Sequence, residues 1–336
     1  MRVGIIGTGA ISRTHAEAYR NIGYSLTACS ASDLERGREF AARYGCKLYE
    51  RWQDVCVDPD VDFVDVCTFP NFRLEPVALC AASGKHVQVQ KPIATDVETA
   101  RRMLELAHSA GITLGVVSQH RFDDSVRFLK PAIDAGRMGQ IIQADAYVKW
   151  FRTPEYYARE VKGTWEAEGG GALINQAIHQ VDLLLWLCGS VHHVYAEWQL
   201  GTVHKIESED VINAVLRYDS GAIGVIQAST AFRPGYPERI EIHGTKGSAI
   251  VTGDKLTAWD VEGDSDAPVE RAGSSGASDP IAIPLIPFER QFLDFGESIR
   301  DRRAPLVSGE EGLHALQLVE AVYQSCRENQ RIDLHA

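Results

Sequence analysis

The sequence lacks the marks of a membrane-embedded or disulfide-stabilised protein. No apolar run approaches the ~20 residues needed to span a bilayer, and the N-terminal apolar stretch is broken by glycines and has no cleavage pattern. No C-x-x-C motif occurs, which argues against a zinc site. The cysteines are odd in number and scattered, which favours a reduced compartment, so we expect a cytoplasmic protein. They are Cys29, Cys46, Cys56, Cys67, Cys80, Cys188 and Cys326.

The sequence also lacks a basic cluster interleaved with aromatic residues. Its formal net charge is −12, so phosphate groups would be repelled, which argues against nucleic acid or an anionic membrane surface as a partner. Hydrophobic residues make up 45% of the chain and charged residues 24%, as in ordinary globular proteins. A length of 336 residues predicts roughly two domains, with ample mass for a core.

The pattern of apolar runs changes near residue 122. Before it, short strands alternate with helices, which predicts a parallel α/β Rossmann domain over residues 1–122. After it, runs with period two and hairpin-like turns predict an α+β domain over residues 123–336 with a mostly antiparallel sheet. Within this second domain we expect a polar loop and two C-terminal helices, over residues 263–280, 287–302 and 309–328.

The first candidate site follows the first predicted strand, in Gly7-Thr8-Gly9-Ala10-Ile11-Ser12. Two glycines allow a tight turn and close approach of the backbone to a pyrophosphate, and the helix that follows offers its N–H groups. Ser12 replaces the usual third glycine, and a small residue can still fill that position. In this context the motif favours a dinucleotide site over a plain turn.

The end of the second predicted strand bears on the choice of cofactor. Ser32 and Arg36 are suited to holding a 2′-phosphate, which favours NADP. Asp33 lies between them and is suited either to the ribose of NAD or to capping the next helix. NADP is therefore the expectation, and NAD stays open.

Two further stretches place polar residues where apolar ones are expected. Lys91 follows a predicted buried strand and precedes a proline, although a lysine there is more often solvated. In "GGGALINQAIHQVD", Asn175, His179 and Asp182 fall on roughly 60° of one helical stripe. Polar groups on an apolar helix are costly to bury unpaired, so we expect them to line a cleft. The alternative is a satisfied structural network.

Four motifs together resemble the glucose–fructose oxidoreductase / inositol 2-dehydrogenase / rhizopine-catabolism (Gfo/Idh/MocA) family. They are "GIIGTGAIS", "HVQVQKPIA", "QHRFD" and "GGGALINQAIHQVD". The resemblance implies a Rossmann domain and a C-terminal domain with an open-faced, mostly antiparallel sheet that forms a homodimer or homotetramer. It implies NAD(P)-dependent oxidation of a secondary hydroxyl on a sugar, cyclitol or sugar derivative.

The resemblance also implies roles for individual residues. Lys91 matches the lysine of the family's E-K-P motif, and Asn175 and His179 match its helix aspartate and histidine. Gln90 and Asn175 depart from the family's carboxylates, and an amide cannot act as a base. We therefore expect His179 to accept the hydroxyl proton, Lys91 to stabilise the alkoxide, Asn175 to orient the substrate and Asp182 to fix the tautomer of His179.

Two sets of contacts complete the expectation. The expected cofactor contacts are Gly7, Gly9, Ala10, Ile11, Ser32, Arg36, Thr68, Pro70, Asn71, Gln90 and Lys91. The segment before the triple glycine is rich in Trp, Tyr and Arg, which suit sugar faces and hydroxyls, although a packed loop or a subunit interface would use the same residues. The expected substrate contacts are Arg121, Trp150, Arg152, Tyr156, Tyr157, Trp165, Asn175 and His179, with a structural ion pair as the alternative for Arg121.

Two other functions stay open for a chain of this kind. Some members of the family resemble glycosidases that retain NAD for transient oxidation, and others are cofactor-binding regulatory sensors without catalysis. The sensors typically lose the lysine or the histidine. Both are present here as Lys91 and His179, which favours an enzyme.

Overall fold

A computed structural model describes residues 1–159, 161–271 and 284–334. The chain forms two compact units, one of residues 1–119 and 284–313 and the other of residues 120–283 and 314–336. The observed boundary at residue 119 lies close to the predicted one at 122. The contiguous division predicted from the sequence is corrected in one respect, because residues 284–313 return to the first unit.

The first unit contains a six-stranded parallel sheet, which confirms the predicted Rossmann class. The strand order is β3-β2-β1-β4-β5-β6, so the order reverses between β1 and β4. Ligands of such sheets bind outside the carboxyl ends of the strands at this reversal. The strands are β1 (Arg2–Ile6), β2 (Ser25–Ser30), β3 (Lys47–Tyr49), β4 (Phe63–Val66), β5 (His86–Val89) and β6 (Leu114–Val116).

The crossover helices of the first unit begin and end at residues suited to those positions. Asp33 caps α2 and Asp96 caps α5 through their side chains, while Gly45 and Gly111 end the same two helices in the left-handed conformation. The helices are α1 (Ala10–Asn21), α2 (Leu34–Tyr44), α3 (Trp52–Val57), α4 (Leu74–Ala82) and α5 (Val97–Ala110).

A helix from the C-terminal part of the chain completes the core of the first unit. In α9 (Leu285–Asp301), Phe292 stacks on Tyr19 with ring centroids 4.4 Å apart, and Phe295 meets Phe63 edge-on at 5.2 Å. Aromatic burial of this kind is a large part of core stability, which explains why α9 belongs to this unit rather than to its neighbours in sequence.

The second unit contains an eight-stranded sheet of order β13-β12-β11-β7-β10-β9-β8-β14. Every neighbouring pair is antiparallel except β7 and β10, so the prediction of a mostly antiparallel sheet is confirmed. The strands are β7 (Ile141–Lys149), β8 (Val191–Leu200), β9 (Glu209–Tyr218), β10 (Ile223–Ser229), β11 (Arg239–Gly244), β12 (Gly247–Thr252), β13 (Lys255–Val261) and β14 (Ile332–Asp333).

The helical part of the second unit carries a π-helical turn. Residues Leu173–Ala177 form this turn and lead directly into α8 (Ile178–Cys188). Other helices of the unit are α6 (Asp124–Asp134) and α7 (Trp165–Glu168), and α10 (Gly309–Glu328) begins in the first unit and continues into the second. Of the predicted polar loop, residues 272–280 lie outside the described residues.

In the ranges that the structure describes, none of the helices is both long and apolar enough to cross a membrane.

Candidate active site

The glycine loop at the end of β1 has the geometry of a phosphate-binding turn. Gly7 has φ +94°, and a Cβ there would lie 3.0 Å from the Cys67 carbonyl oxygen, so both conformation and space require glycine. Apart from the adjoining backbone, no heavy atom of the described residues lies within 4 Å of a Cβ built on Gly9, which leaves room for a ligand. Ser12 is buried at the third position and donates to the Gly9 carbonyl at 2.6 Å. Exposed Ala10 and half-exposed Ile11 begin α1.

The end of β2 differs from what the preference for NADP assumed. Asp33 accepts from the backbone N–H groups of Glu35 and Arg36 at 3.1 and 3.2 Å, and from the Arg36 guanidinium at 2.9 Å. These hydrogen bonds, the Arg36 backbone first, lower the pKa of Asp33. The carboxylate thus caps α2 and engages the charge of Arg36, while Ser32 is exposed. A 2′-phosphate would have to compete with Asp33 for Arg36.

The cofactor contacts that the sequence predicts after β4 lie beside the glycine loop. Strand β4 pairs with β1, and Thr68, Pro70 and Asn71 follow its carboxyl end. Thr68 is half-exposed, Pro70 is buried and Asn71 is exposed. Thr68 and Asn71 are therefore accessible at the sheet edge where a dinucleotide would bind.

Lys91 also reaches this edge, because β5 pairs with β4 and ends at Val89. Its backbone N–H donates to the Oε1 atom of Gln90 at 3.0 Å, and the Lys91–Pro92 peptide bond is cis. Gln90 is buried and Lys91 is half-exposed. The side chain of Gln90 therefore faces the interior of the unit, while that of Lys91 retains access to the surface.

Sequence reasoning missed Arg73, which organises the same edge. Arg73 is 2% exposed, and its guanidinium donates to the carbonyl oxygens of Thr68, Gln90 and Pro92. Burial lowers the pKa of Arg73 to about 9. No motif marks this arginine, since its role arises only when the ends of β4 and β5 come together.

In the second unit, Asn175 and His179 are more exposed to solvent than the residues around them in sequence. Between residues 170 and 184, all described by the structure, these two are half-exposed and the others are buried. A π-helical turn is rare and frequently occurs at functional sites. The turn at Leu173–Ala177 thus lies in the segment where two half-exposed polar groups stand among buried residues.

The triple glycine before this turn serves packing. A Cβ on Gly171 would lie 1.9 Å from the Glu209 carbonyl oxygen, so only glycine fits. The Glu209 carboxyl accepts from the N–H groups of Gly171 and Leu173 and from the Tyr323 hydroxyl, each at 2.8 Å. Complete burial raises the pKa of Glu209 to about 7, and these hydrogen bonds oppose part of the rise. Glu209 and Tyr323 thus anchor the segment that carries Asn175 and His179.

Asp182 forms a buried ion pair with Arg121. Its two oxygens accept from Nε and Nη2 of Arg121 at 2.8 and 2.6 Å, and both side chains are buried. Asp182 lies three residues after His179, which rotates it about 60° around the helix, toward Arg121. Arg121 and Asp182 thus form the structural ion pair that is the alternative to a substrate contact for Arg121.

His120 is a neighbour of His179 that sequence reasoning missed. The two rings meet edge-on with centroids 5.0 Å apart, and His120 Nδ1 lies 2.7 Å from Asp123 Oδ2. Burial alone would lower the pKa of His120, but the charge and hydrogen bond of Asp123, together with the charges of Glu238 and Asp254, raise it overall. The "QHRFD" motif contained this signal, since His120 and Asp123 have the i, i+3 spacing of a helical pair.

The aromatic segment before the triple glycine is largely packed. Trp150 is buried and donates to Glu238 at 3.0 Å, and the guanidinium of buried Arg152 lies 4.6 Å from the Trp150 ring centroid. Tyr157 donates to Thr230 at 2.9 Å. For buried Trp150 and Arg152, the packed-loop alternative accounts for the observed contacts, whereas Tyr157 is half-exposed.

Tyr156 and Trp165 are half-exposed and remain accessible. The Tyr156 hydroxyl accepts from Gln176 Nε2 at 3.1 Å, which ties it to the π-helical turn next to Asn175. Trp165 packs against Trp198 and Tyr323, with centroids 5.6 and 5.1 Å away. Tyr156 is thus the aromatic residue of this segment that is bonded to the turn carrying Asn175.

Comparison with known proteins supports the same interpretation in both units. Residues 1–118 match the model described as "Oxidoreductase family, NAD-binding Rossmann fold", and residues 126–250 match "GFO/IDH/MocA C-terminal domain". The chain is 30% identical to myo-inositol 2-dehydrogenase of Thermotoga maritima, over 99% of this chain and 98% of that protein. It is 28% identical to 1,5-anhydro-D-fructose reductase of Ensifer adhaerens, over 99% and 98%.

Among solved structures, the chain resembles the WlbA dehydrogenase from Bordetella pertussis in complex with NADH and UDP-GlcNAcA. The identity is 30%, the TM-score is 0.90, and the match covers 99% of this chain and 97% of that one. A levoglucosan dehydrogenase in complex with NADH shares the fold at 21% identity and a TM-score of 0.90. With both units matched over nearly their whole length, the chain belongs to the Gfo/Idh/MocA family of oxidoreductases, whose N-terminal domain is an NAD-binding Rossmann fold.

Proposed function

We propose that this oxidoreductase catalyses the reversible, NAD-dependent oxidation of a secondary hydroxyl on a sugar, cyclitol or sugar derivative. The observation that carries the proposal is the pair Asn175 and His179, two accessible polar side chains on an otherwise buried helical segment. Lys91 at the carboxyl edge of the Rossmann sheet supplies the cationic group that the family's chemistry requires. Relatives named for inositol, anhydrofructose and levoglucosan support the substrate class.

The residues of the first unit fit a dinucleotide. The required glycine at Gly7, the open space around Gly9 and the N–H groups at the start of α1 would receive the pyrophosphate, with Thr68 and Asn71 accessible beside them. When bound, the nicotinamide serves as the hydride acceptor. Gln90 and Lys91 would flank that end of the cofactor.

Three side chains act on the substrate hydroxyl, and one of them takes its proton. His179 accepts the proton of the substrate hydroxyl, because imidazole ordinarily exchanges protons near neutral pH. Lys91 donates a hydrogen bond to the same oxygen and stabilises the developing negative charge. Asn175 carries no proton in either direction and orients the substrate through its amide.

For the cofactor we propose NAD in place of the NADP favoured by Ser32 and Arg36. Asp33 engages Arg36 and adds a negative charge where a 2′-phosphate would lie. The relatives solved with NADH support the same choice. Measuring kcat/KM for both cofactors tests it. We expect a lower kcat/KM for NADP than for NAD. Asp33→Asn should raise kcat/KM for NADP. A clear preference of the unmodified protein for NADP would contradict the proposal.

A substrate panel followed by NADH absorbance tests the activity itself. The panel contains myo-inositol, 1,5-anhydro-D-fructose, levoglucosan and a UDP-linked uronic acid, and at least one is expected to change the absorbance. Cleavage of an aryl glycoside without net NADH formation would instead favour the glycosidase alternative. Cofactor binding with no turnover of any substrate would favour the sensor alternative.

We also propose that the second unit assembles into a homodimer or homotetramer through its sheet. Register places Tyr195 opposite Val215 and Val215 opposite Val225, so these residues share one face of the sheet. Val215 is 56% exposed and Tyr195 40%, which is unusual for neighbouring apolar groups. Light scattering coupled to size-exclusion chromatography tests this, and Val215→Glu is expected to give a monomer.

A further inference from the structure

A buried chain of polar side chains in the first unit ends at the backbone of Lys91. Asp65 Oδ2 lies 2.7 Å from His15 Nδ1, and His15 Nε2 lies 2.7 Å from Gln90 Nε2. Gln90 Oε1 in turn lies 3.0 Å from the backbone nitrogen of Lys91. These hydrogen bonds therefore connect Asp65 on β4 to Lys91, the second residue after the end of β5.

The direction of every hydrogen bond in this chain follows from chemistry. The Lys91 N–H can only donate, so the Gln90 oxygen accepts and the Gln90 amide nitrogen faces His15. That nitrogen can only donate, so His15 Nε2 accepts and carries no proton. The proton of His15 must then be on Nδ1, where it is donated to Asp65. His15 is thus neutral and held in the Nδ1–H tautomer.

The surroundings prevent His15 from taking another orientation. Its side chain and that of Asp65 are fully buried. The imidazole ring packs against Phe288 and Phe292, with centroids 5.4 and 4.9 Å away. The Tyr19 hydroxyl donates to the same Asp65 oxygen at 2.9 Å, so the carboxylate is also held in place.

A second set of hydrogen bonds holds the polypeptide backbone on either side of Lys91. The Arg73 guanidinium donates to the carbonyl oxygens of Gln90 and Pro92. Both neighbours of Lys91 are therefore bound by Arg73, while its own N–H is bound by Gln90. The direction in which the Lys91 side chain leaves the sheet edge is therefore set by the buried side chains of Arg73 and Gln90.

We propose that His15 is a positioning residue for Lys91, acting through Gln90, and that Gln90 and the Nδ1–H tautomer of His15 are a matched pair. This rests on the proposed function, in which Lys91 stabilises the substrate oxygen. A glutamate at position 90 would present an acceptor to His15 Nε2 and would require a proton there. The amide at Gln90 removes that requirement and leaves the imidazole uncharged.

The tautomer is measured directly by ¹⁵N-histidine NMR of the full-length protein, with the His15 signals assigned as those missing from His15→Gln. An unprotonated Nε2 and a protonated Nδ1 are expected in the unmodified protein. Gln90→Glu is expected to move a proton onto Nε2. A protonated Nε2 in the unmodified protein, or no change in Gln90→Glu, would overturn the proposal whatever the activity.

Kinetics test the consequence for Lys91. His15→Leu is expected to lower kcat on the order of 10²-fold, as misplacement of a reacting group does, with the Kd of NAD unchanged. His15→Gln keeps a neutral donor and acceptor and should restore most of kcat. The matched control is His86→Leu, which removes a half-exposed histidine from the opposite end of β5 and should keep kcat.

The outcomes separate this proposal from the function on which it rests. Equal losses in His15→Leu and His86→Leu, or a normal kcat in His15→Leu, would overturn the positioning role. A normal kcat in Lys91→Ala would refute the proposed function and with it the reason for positioning Lys91. If His15→Leu does not fold, the tautomer measurement on Gln90→Glu decides the question.

Discussion

At the scale of single residues, Asn175 and His179 share an exposed face but differ in their chemistry. An amide has no proton to exchange near neutral pH, whereas an imidazole does. With no carboxylate at position 175, His179 is the general base of the proposed mechanism. Lys91 complements it as a donor that stabilises negative charge.

We expect Lys91→Ala and His179→Ala each to lower kcat by roughly 10²–10⁴-fold, the range typical of a lost acid–base or electrostatic group. The Kd of NAD should change little, because neither side chain is needed for the phosphate-binding turn at Gly7. Stopped-flow turnover and fluorescence titration with NADH measure the two quantities. A His179→Ala enzyme with normal kcat would remove that residue from the mechanism.

At the scale of elements, the π-helical turn at Leu173–Ala177 and the helix α8 depend on strand β9 for their anchor. Glu209 at the start of β9 accepts from Gly171 and Leu173, and its backbone passes so close that position 171 cannot bear a Cβ. The triple glycine is thus explained in part by close packing. The hydrogen bonds to Glu209 therefore hold in place the segment that carries Asn175 and His179.

Gly171→Ala is expected to destabilise the second unit by about 3 kcal/mol or more, as overpacking of a rigid backbone contact does. Gly136→Ala is the control, because Gly136 has φ +70° with open space around its Cβ position. That change should cost only about 1 kcal/mol, the penalty of the left-handed conformation. Equal shifts in the urea midpoint would show that the contact with Glu209 does not restrict position 171.

The raised pKa of Glu209 predicts a pH-dependent stability. Folding shifts this pKa from 4.5 to about 7, so the folded state holds the proton more tightly than the unfolded state. The stabilisation is complete below pH 4.5 and is lost as the pH rises through about 7. The free energy of unfolding, relative to Glu209→Gln, should fall by roughly 3 kcal/mol across this window.

Urea unfolding of the unmodified protein and of Glu209→Gln at several pH values measures this difference. The variant serves as the reference because it cannot titrate at position 209. A difference that is constant with pH would mean that the three donors to Glu209 balance its burial, and one that grows as the pH rises would mean that they outweigh it.

At the scale of the whole molecule, the two units are not two consecutive stretches of chain. The first unit recruits residues 284–313, whose Phe292 and Phe295 pack on Tyr19 and Phe63. The backbone of Val116 also donates to Val307 at 3.2 Å, next to the bridge between Gly115 and Ser308. The Rossmann unit is therefore complete only when the C-terminal part of the chain has been made.

A chain of residues 1–119 alone is expected to aggregate, because the surface that α9 covers would be exposed. Joining residues 1–119 to 284–313 through a flexible Gly/Ser linker should give a folded unit that binds NADH. Circular dichroism and NADH fluorescence measure both properties. As a control, Phe292→Ala in the joined chain should cost about 3–5 kcal/mol. A soluble, NADH-binding 1–119 chain would show that α9 is dispensable.

The local sequence pattern was enough to predict the Rossmann class and the mostly antiparallel second sheet. It also predicted the accessibility of Asn175, His179 and Lys91. Strand alternation and helical spacing can be recognised in this way because they depend on only a few neighbouring residues. Only the tertiary structure assigned Asp182 to Arg121, Arg36 to Asp33 and the triple glycine to Glu209. It also revealed Arg73, His15 and His120 as neighbours of the proposed site residues. Each of these depends on a partner that folding brings close, and a buried polar group is defined by the partner that satisfies it.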